Sequence, residues 1–273
     1  DVLIAGQVRA SSTKLYSNDG TGEFIHVTHA PTTKLNRGVL DFADFNGDEY
    51  IDLFVMSTIG PNPITNPIAN LYLNNEEGEM TQVTGFVFNT KIEGSMDLAD
   101  LNGDDHIDIL ISTGDVYWND GNANFTRSQV ISGRLNQSQI VAFDIDGDED
   151  LDILFTGRES SFDYLTKIDI NDGSGNFTEK NSSNITGVAS ASIAISDVDN
   201  DGDNDIFITG DGYNNDIAEL YFNDGSGNFE KDLYTNFFPA VRGSAKFSDI
   251  DMDGDDDLLI SGSPDGGTGS PLT

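Results

Sequence analysis

Short apolar runs recur along the chain, and each is followed by a segment in which apolar and polar residues alternate. The runs are Leu53–Ser57, Ile109–Ser112, Ile153–Gly157, Ile206–Gly210 and Leu258–Gly262. Runs of this length and period-two alternation are both typical of β-strands. Because no segment carries a long 3.6-residue period, the sequence predicts an all-β protein.

Asn-Asp-Gly turns follow the alternating segment at 18–20, 119–121, 171–173 and 223–225. These residues tolerate left-handed backbone, so each turn predicts a β-hairpin whose next strand begins at a phenylalanine. The copy at Leu71–Asn75 departs from the others, because Asn75-Glu76 replaces Asp-Gly. A fourth strand is predicted at Val39–Ala43, Ser95–Ala99, Gln139–Phe143, Ser192–Ser196 and Ser244–Ser248. The strands that follow the four Asn-Asp-Gly turns are predicted to start at Phe24, Phe125, Phe177 and Phe229.

Five nine-residue acidic windows lie between the fourth strand and the next apolar run. They are Asp44–Asp52, Asp100–Asp108, Asp144–Asp152, Asp197–Asp205 and Asp249–Asp257. Together they hold about half of the 48 acidic residues. Their spacing of about 50 residues indicates an internal repeat.

Positions 1, 3, 5 and 9 of every window are Asp or Asn, whereas position 7 varies. Alternating carboxylates suit a hard cation, with side-chain oxygens from the first four positions and a backbone carbonyl from the seventh. Oxygen-only ligands favour Ca²⁺ over zinc or copper, and Mg²⁺ prefers to keep several waters. We therefore predict about five Ca²⁺ sites. The candidate ligands are Asp44, Asn46, Asp48, Tyr50 and Asp52; Asp100, Asn102, Asp104, His106 and Asp108; Asp144, Asp146, Asp148, Asp150 and Asp152; Asp197, Asp199, Asp201, Asp203 and Asp205; and Asp249, Asp251, Asp253, Asp255 and Asp257.

Two other interpretations of the windows fit the sequence less well. A plain Asp-rich solvated turn would not recur five times with one spacing. An EF-hand loop shares the D-x-D-x-D-G pattern at Asp197 and Asp249, but Ile208 and Ile260 stand where its Glu is needed, and the flanks are strands. Glycine at position 4 or position 6 lets the backbone curl around an ion. These glycines are Gly47, Gly103, Gly147, Gly202 and Gly254.

Charge and composition exclude several classes of function. The 273 residues include 13 basic and 48 acidic side chains, a net charge of −35, and no cysteine. Such charge disfavours nucleic acid and anionic membranes, and the missing cysteines exclude disulfides and thiolate metal sites. No run of about 18 apolar residues predicts a membrane span. Hydrophobic residues make up 37% of the chain, enough for a core, so disorder is not expected.

Four short strands repeated in tandem favour a β-propeller with one repeat per blade. The acidic windows, the apolar strands after them and hairpins such as Leu220–Phe229 (LYFNDGSGNF) resemble FG-GAP/VCBS-type repeats. Those repeats form the calcium-binding propellers of integrin α-subunit heads and of many secreted bacterial proteins. The resemblance covers nearly the whole chain. It implies that the strand before each window is the innermost strand A, that the window is the A–B loop, and that the hairpin joins strands C and D.

The repeats predict one propeller domain over 1–273, or a segment of a larger propeller. Four full blades fall at 38–93, 94–137, 138–190 and 191–242, with partial blades at 1–37 and 243–273. Asp1–Gly6 aligns with Asp152–Gly157, so a sixth window is expected to precede the chain, which then looks like a piece of a longer precursor. Three arrangements stay open: a larger ring, with seven blades usual in the family, a five-bladed ring with one unpaired strand, or an end strand that pairs with a neighbouring subunit.

Two local features carry further expectations. Ala142-Phe143 precedes the third window where the other repeats place the large residue first, which predicts a bulge or irregularity there. The connections on the side away from the windows vary in length, so recognition is expected among them. Arginines in or beside those connections form either a basic patch for an acidic glycan or protein, or a simple offset to the overall charge. They are Arg9, Arg37, Arg134, Arg158 and Arg242.

Catalysis is not expected. His26, His29 and His106 have no neighbouring Ser nucleophile or Glu-x-x-His pattern. The leading interpretation is a secreted or cell-surface, calcium-dependent binding or adhesion module for a glycan or an extracellular protein, in an environment with millimolar Ca²⁺. One alternative is a structural subunit of an extracellular filament that assembles through an unpaired edge strand. The other is a propeller-fold polysaccharide-degrading enzyme or its substrate-binding domain.

Overall fold

The computed structural model describes residues 2–8, 10–27, 36–58, 67–85, 88, 95–129, 135–159, 163–182 and 184–263. Within these ranges every regular element is a β-strand. The all-β prediction is therefore confirmed for the described residues. No helix long and apolar enough to cross a membrane occurs among them.

The described strands form six sheets, and strands adjacent in sequence are adjacent in each sheet. The first sheet contains β1 (Val2–Val8), β2 (Ala10–Asn18) and β3 (Phe24–Val27). The next two contain β4 (Asn36–Ala43), β5 (Asp52–Thr58), β6 (Pro67–Leu73) and β7 (Thr81–Gln82), and then β8 (Met96–Ala99), β9 (Asp108–Ile111), β10 (Asp115–Asn119) and β11 (Phe125–Gln129). The fourth and fifth contain β12 (Asn136–Phe143), β13 (Asp152–Arg158), β14 (Tyr164–Asn171) and β15 (Phe177–Lys180), and then β16 (Ala189–Ser196), β17 (Asp205–Asp211), β18 (Asp216–Asn223) and β19 (Phe229–Lys231). The sixth contains β20 (Val241–Ser248) and β21 (Asp257–Ser263).

The chain divides into two compact units. Unit 1 comprises Asp1–Ile92, Asp105–Ile107 and Trp118–Thr126, and unit 2 comprises Glu93–Asp104, Asp108–Tyr117 and Arg127–Thr273. In unit 1, Leu53, Val55 and Tyr72 form a buried cluster on one side of the second sheet. Phe54, which points to the other side, packs against Phe88 with ring centroids 4.7 Å apart.

The sheets of unit 2 pack through both of their faces. Alternate residues of a strand point to opposite sides, so Ile206 and Ile208 of β17 join the fourth sheet's core while Phe207 joins the sixth sheet's. The first strands of neighbouring sheets also bond to one another. The Ala142 N–H donates to Asp97 Oδ2 at 2.7 Å, and the Ala245 N–H donates to Ser192 Oγ at 2.9 Å.

The prediction of an irregularity specific to the third window's repeat is wrong. Phe143 pairs with Asp152 just as Ala43 pairs with Asp52. The register shift in this sheet lies earlier, between Asn136 and Gln139, and the same shift occurs in the second, fifth and sixth sheets. Ala142-Phe143 has the small residue first and the large residue second, the reverse of Phe42-Ala43. The aromatic ring of Phe143 therefore lies on the opposite face of its sheet, where it is buried in the core.

Asp169 occupies the position that tyrosine holds in the other repeats. The tyrosines are Tyr16, Tyr72, Tyr117 and Tyr221. The Asp169 side chain is buried, and its Oδ2 has no hydrogen-bond partner in the described part of the chain. Burial raises the pKa of Asp169 to about 6, with a further increase from the Glu179 charge and an opposing effect from Lys167.

Replacing Asp169 by Asn should therefore stabilise the protein above pH 6. As pH rises, the unfolded chain loses this proton near pH 3.9 but the native state only near 6, so the ionised carboxyl costs native stability across that interval. The gain in unfolding free energy for Asp169→Asn should grow from near zero at about pH 4 to roughly 2 kcal/mol at about pH 7.5. Urea titrations at several pH values measure it. Glu179→Gln should give a smaller gain over the same pH range, because removing the Glu179 charge lowers the pKa of Asp169. A flat difference for Asp169→Asn would contradict the prediction.

Candidate metal centre

The last aspartate of each window begins the next strand and fastens the loop. Four of these side chains are fully buried: Asp52, Asp108, Asp152 and Asp205. In each, Oδ2 accepts the N–H of the window's second residue at 2.9–3.2 Å. In the second, fourth and fifth sheets, Oδ1 accepts the N–H of the hairpin asparagine at 2.8–2.9 Å, from Asn74, Asn171 and Asn223. One carboxylate thus closes the window and joins it to the hairpin of the same repeat.

The first aspartate of each window accepts N–H groups from inside the loop. Asp44 Oδ1 accepts from Gly47 at 2.8 Å, and its Oδ2 accepts from Glu49 at 2.8 Å. Asp144, Asp197 and Asp249 repeat this two-oxygen pattern at 2.8–3.1 Å. The fifth residue adds a further bond, since Asp48 Oδ1 accepts the Tyr50 N–H at 2.9 Å.

The backbone is left-handed at both position 4 and position 6 in every window. The ten residues have φ values between 62° and 99°: Gly47, Gly103, Gly147, Asn200 and Met252 at position 4, and Glu49, Asp105, Glu149, Gly202 and Gly254 at position 6. Only one of the two positions is glycine in each window. The sequence therefore revealed half of this double curl, because a non-glycine residue gives no sign of a positive φ.

Three windows bring three carboxylates together. One oxygen from each lies within 4.8 Å of the others in the groups Asp144, Asp146 and Asp152; Asp197, Asp199 and Asp205; and Asp249, Asp251 and Asp253. In the first two windows Asn46 and Asn102 hold position 3, so an amide oxygen would complete the set.

The burial and mutual repulsion of these carboxylates are consistent with a bound cation. Asp146 Oδ1 is buried without a hydrogen-bond partner among the described residues. Burial and the neighbouring charges of Asp148 and Asp144 raise the pKa of Asp146, and burial raises the pKa of Asp152 to about 6. Crowded, desolvated carboxylates are costly alone, and a divalent ion would both neutralise them and satisfy the unpaired oxygen.

The hairpin aspartates behave in the opposite way. The Asn176 side chain and the Ser174 N–H donate to Asp172, which lowers the pKa of that carboxyl. The Asn228 side chain and the Ser226 N–H likewise lower the pKa of Asp224. Both acids are exposed, and among the described residues neither belongs to a group of three clustered carboxylates, so they are not candidate ligands. The structure thus separates two kinds of acidic turn that look alike in composition.

The seventh side chain of a window packs against the hairpin glycine of its own repeat. A Cβ added at Gly121, Gly173 or Gly225 would collide with His106, Asp150 or Asp203, respectively. This contact was missed from the sequence, where position 7 was assigned only a carbonyl ligand. One signal was present: the repeat with Tyr50 is the one whose hairpin carries Glu76 in place of glycine.

Several sequence predictions fall wholly or partly outside the described residues. Arg9, Arg134 and His29 lie there, as does the side chain of Arg37, so the basic patch stays a prediction. Arg242 is exposed, and His26 packs beside Tyr16 with ring centroids 5.4 Å apart.

Comparison with known proteins bears on the fold. No family model matches the chain, and no curated protein sequence matches it either. Among solved structures, a lectin of Agrocybe aegerita, described as recognising non-reducing terminal N-acetylglucosamine, aligns with a TM-score of 0.64 at 16% identity. The alignment covers 97% of this chain and 74% of the lectin. The chain is similar in fold to a propeller-type lectin. At this identity the likeness concerns the fold alone.

Proposed function

We propose that this chain is a calcium-dependent glycan-binding module, built as a β-propeller of FG-GAP/VCBS-type repeats. The observation that carries glycan binding is the likeness to the lectin along 97% of the chain. The propeller assignment rests on the repeated sheets, whose strands follow one another in the order implied by the sequence resemblance. A single domain over 1–273 belongs to the same proposal.

Calcium has a structural role in this proposal. The oxygens at positions 1, 3, 5 and 9 of each window, with the carbonyl at position 7, would hold about five ions. The bound ion supplies positive charge where the carboxylates meet. The protein's own residues then keep each window curled between the first and second strands of its sheet. Loops of this kind suit an environment with millimolar Ca²⁺, so we place the protein outside the cytosol.

The glycan contacts belong at the other end of the sheets. In an antiparallel sheet of four sequential strands, the windows and the hairpins lie at one end, and the connections between the second and third strands lie at the opposite end. Those connections differ between repeats: Thr113–Gly114 makes a tight turn in the third sheet, whereas β5 and β6 are separated by residues 59–66. Variable loops on a repeated scaffold are suited to recognition.

A role without catalysis is part of the proposal. The first and last window aspartates receive backbone N–H donors in a pattern repeated along the chain. Repetition suits a structural ion site, whereas a glycosidase needs one pair of carboxylates with distinct roles. Incubation with acidic polysaccharides, followed by assay of released chain ends, checks this: product formation would favour the enzyme alternative.

A glycan array run with Ca²⁺ and with EDTA tests the binding function. We expect binding to glycans with terminal N-acetylglucosamine in Ca²⁺, weaker by at least about tenfold in EDTA. Asp146→Ala should weaken binding, and Asp172→Ala, at a hairpin acid with its own donors, serves as the matched control. Absence of binding to every glycan would overturn the glycan assignment. Equal binding in both buffers would overturn the calcium dependence.

A further inference from the structure

Both Asn-Gly dipeptides of the sequence lie inside acidic windows. They are Asn46-Gly47 and Asn102-Gly103, at positions 3 and 4 of the first and second windows. The other three windows have aspartate at position 3. The backbone is left-handed at both glycines, with φ of 72°, a conformation that favours glycine over residues with a side chain. The curl of these two loops therefore places the least hindered residue directly after an asparagine.

Asparagine followed by glycine has an intrinsic chemical reactivity. In an open chain, the backbone nitrogen of the glycine attacks Cγ of the asparagine side chain. A C–N bond forms, and the side-chain nitrogen leaves as ammonia with the proton of the glycine N–H, so that a cyclic imide results. Water then opens the imide at either carbonyl and gives aspartate or isoaspartate. Glycine favours the attack because it has no Cβ beside the reacting nitrogen.

The closed first window restrains both reacting groups. The Gly47 N–H donates to Asp44 Oδ1 at 2.8 Å, and the negative charge of that carboxylate disfavours loss of the proton. The Asn46 side chain is held at both of its ends. Its Nδ2 donates to Asp48 Oδ2 at 2.9 Å, and its Oδ1 accepts the Asp48 N–H at 3.2 Å. Attack on Cγ therefore requires the window to open.

The second window carries the same restraints. The Gly103 N–H donates to Asp100 Oδ1 at 2.8 Å, and Asn102 Oδ1 accepts the Asp104 N–H at 3.0 Å. Both window glycines are exposed, so the water that completes the reaction has access to the site. Closure of the loop, and not burial, is thus what separates the reactive groups from their reaction.

We propose that Asn46 and Asn102 are sites of covalent deamidation, and that each reacts when its own window opens. The aspartate product gives the window the carboxylate that the other three windows already have at position 3. The isoaspartate product carries the backbone through the former side chain and lengthens it, so the N–H groups that the first aspartate accepts are displaced. Opening of either window thereby leaves a permanent chemical change.

Control of these reactions by calcium rests on the proposed function. At about 100-fold excess over Kd, a bound ion lowers the population of open windows about 100-fold. Withdrawal of calcium would then expose both dipeptides, and the resulting modification would persist after calcium returned. Only the first and second windows would record the event, because the other three have no asparagine at position 3.

Peptide mapping by mass spectrometry during incubation at neutral pH measures the rate at each asparagine. In Ca²⁺, Asn46 and Asn102 should react at least about tenfold more slowly in the folded chain than in urea, and EDTA should raise both rates of the folded chain. Asn171 precedes an aspartate and is the internal control. It should react more slowly than either site in urea, because aspartate carries a Cβ beside the attacking nitrogen.

Two variants assign each rate to its own window. Asp44→Ala removes the acceptor of the Gly47 N–H, so it should speed the reaction at Asn46 at least about tenfold and leave Asn102 unchanged. Asp100→Ala should have the reverse effect. Circular dichroism shows whether each variant is folded, and the wild-type comparison between native buffer and urea needs no substitution.

Asp249→Ala is the matched control, because it removes the same acceptor from a window that has no Asn-Gly. Equal rates at both sites in the folded and the urea-unfolded chain overturn the proposal. It is also overturned if folded Asp44→Ala reacts at the wild-type rate, or if Asp249→Ala speeds Asn46 equally. Window-specific acceleration with identical rates in Ca²⁺ and EDTA supports the deamidation sites but overturns the calcium dependence of the proposed function.

Discussion

Removal of calcium by EDTA should lower the melting temperature by more than about 15 °C. At about 100-fold excess over Kd, one ion contributes roughly 2.7 kcal/mol, and 1 kcal/mol corresponds to about 2–4 °C in a domain of this size. Several sites therefore account for the expected shift. Without the ions, the carboxylates of each window repel one another in a chain whose net charge is −35. Differential scanning calorimetry in Ca²⁺ and in EDTA measures the change.

Two controls separate site binding from general screening of charge. Mg²⁺ at the same concentration should restore only part of the lost stability, because it gives up its waters reluctantly. A high concentration of NaCl screens exposed charges but supplies no ligand-bound ion, so it should restore less than Ca²⁺. An EDTA-treated sample that melts within about 2 °C of the calcium-loaded one would reject calcium as a structural element.

Asp152→Ala should lower the free energy of unfolding by about 2 kcal/mol in EDTA at about pH 7, because removing a buried carboxyl with a pKa of about 6 offsets part of the loss. The wild-type carboxylate accepts the N–H groups of Ile145 and Asn171, both at distances below 3 Å and both at buried positions. Alanine leaves these two donors without partners, and each unsatisfied buried donor costs roughly 1–3 kcal/mol. Urea unfolding in EDTA isolates this effect from metal binding.

Asp257→Ala is the matched control within the same chain. Asp257 has the same place in its window and accepts the Ile250 N–H at 3.2 Å, but its side chain is exposed. Water can replace this acceptor, so we expect a loss below about 1 kcal/mol. If the two variants lose equal stability in EDTA, the buried carboxylate of Asp152 does not fasten its loop.

The strands could be predicted because their signals are local. Alternation along β14 and β18 and the Asn-Asp-Gly turns after them require only neighbouring residues, and the observed strands begin at Phe24, Phe125, Phe177 and Phe229 as expected. The windows were found for the same reason, since Asp and Asn recur at fixed spacing. Three of them bring carboxylates together as a cation site requires.

Features that depend on distant residues were not visible in the sequence. Asp52 and its counterparts were assigned only as metal ligands, whereas the structure shows them accepting two backbone N–H groups. The exposure of Leu259 also could not be foreseen, because its sequence context matches that of buried Leu154 and the difference lies in which sheet covers it. Of the five arginines in the predicted basic patch, Arg9 and Arg134 lie outside the described residues, so the patch stays a prediction.

The hairpin glycines have a consequence for how such arrays can be lengthened or shortened. Gly173 lies against Asp150 of its own window, and its carbonyl is 3.1 Å from the Cβ position of Gly103 in the preceding window. The matched surfaces therefore belong to the hairpin of one repeat and the loop of the repeat before it. An inserted or deleted repeat must therefore fit the loop of the repeat before it and the hairpin of the repeat after it. The length of such an array consequently changes only by repeats whose hairpins and loops match those of their neighbours.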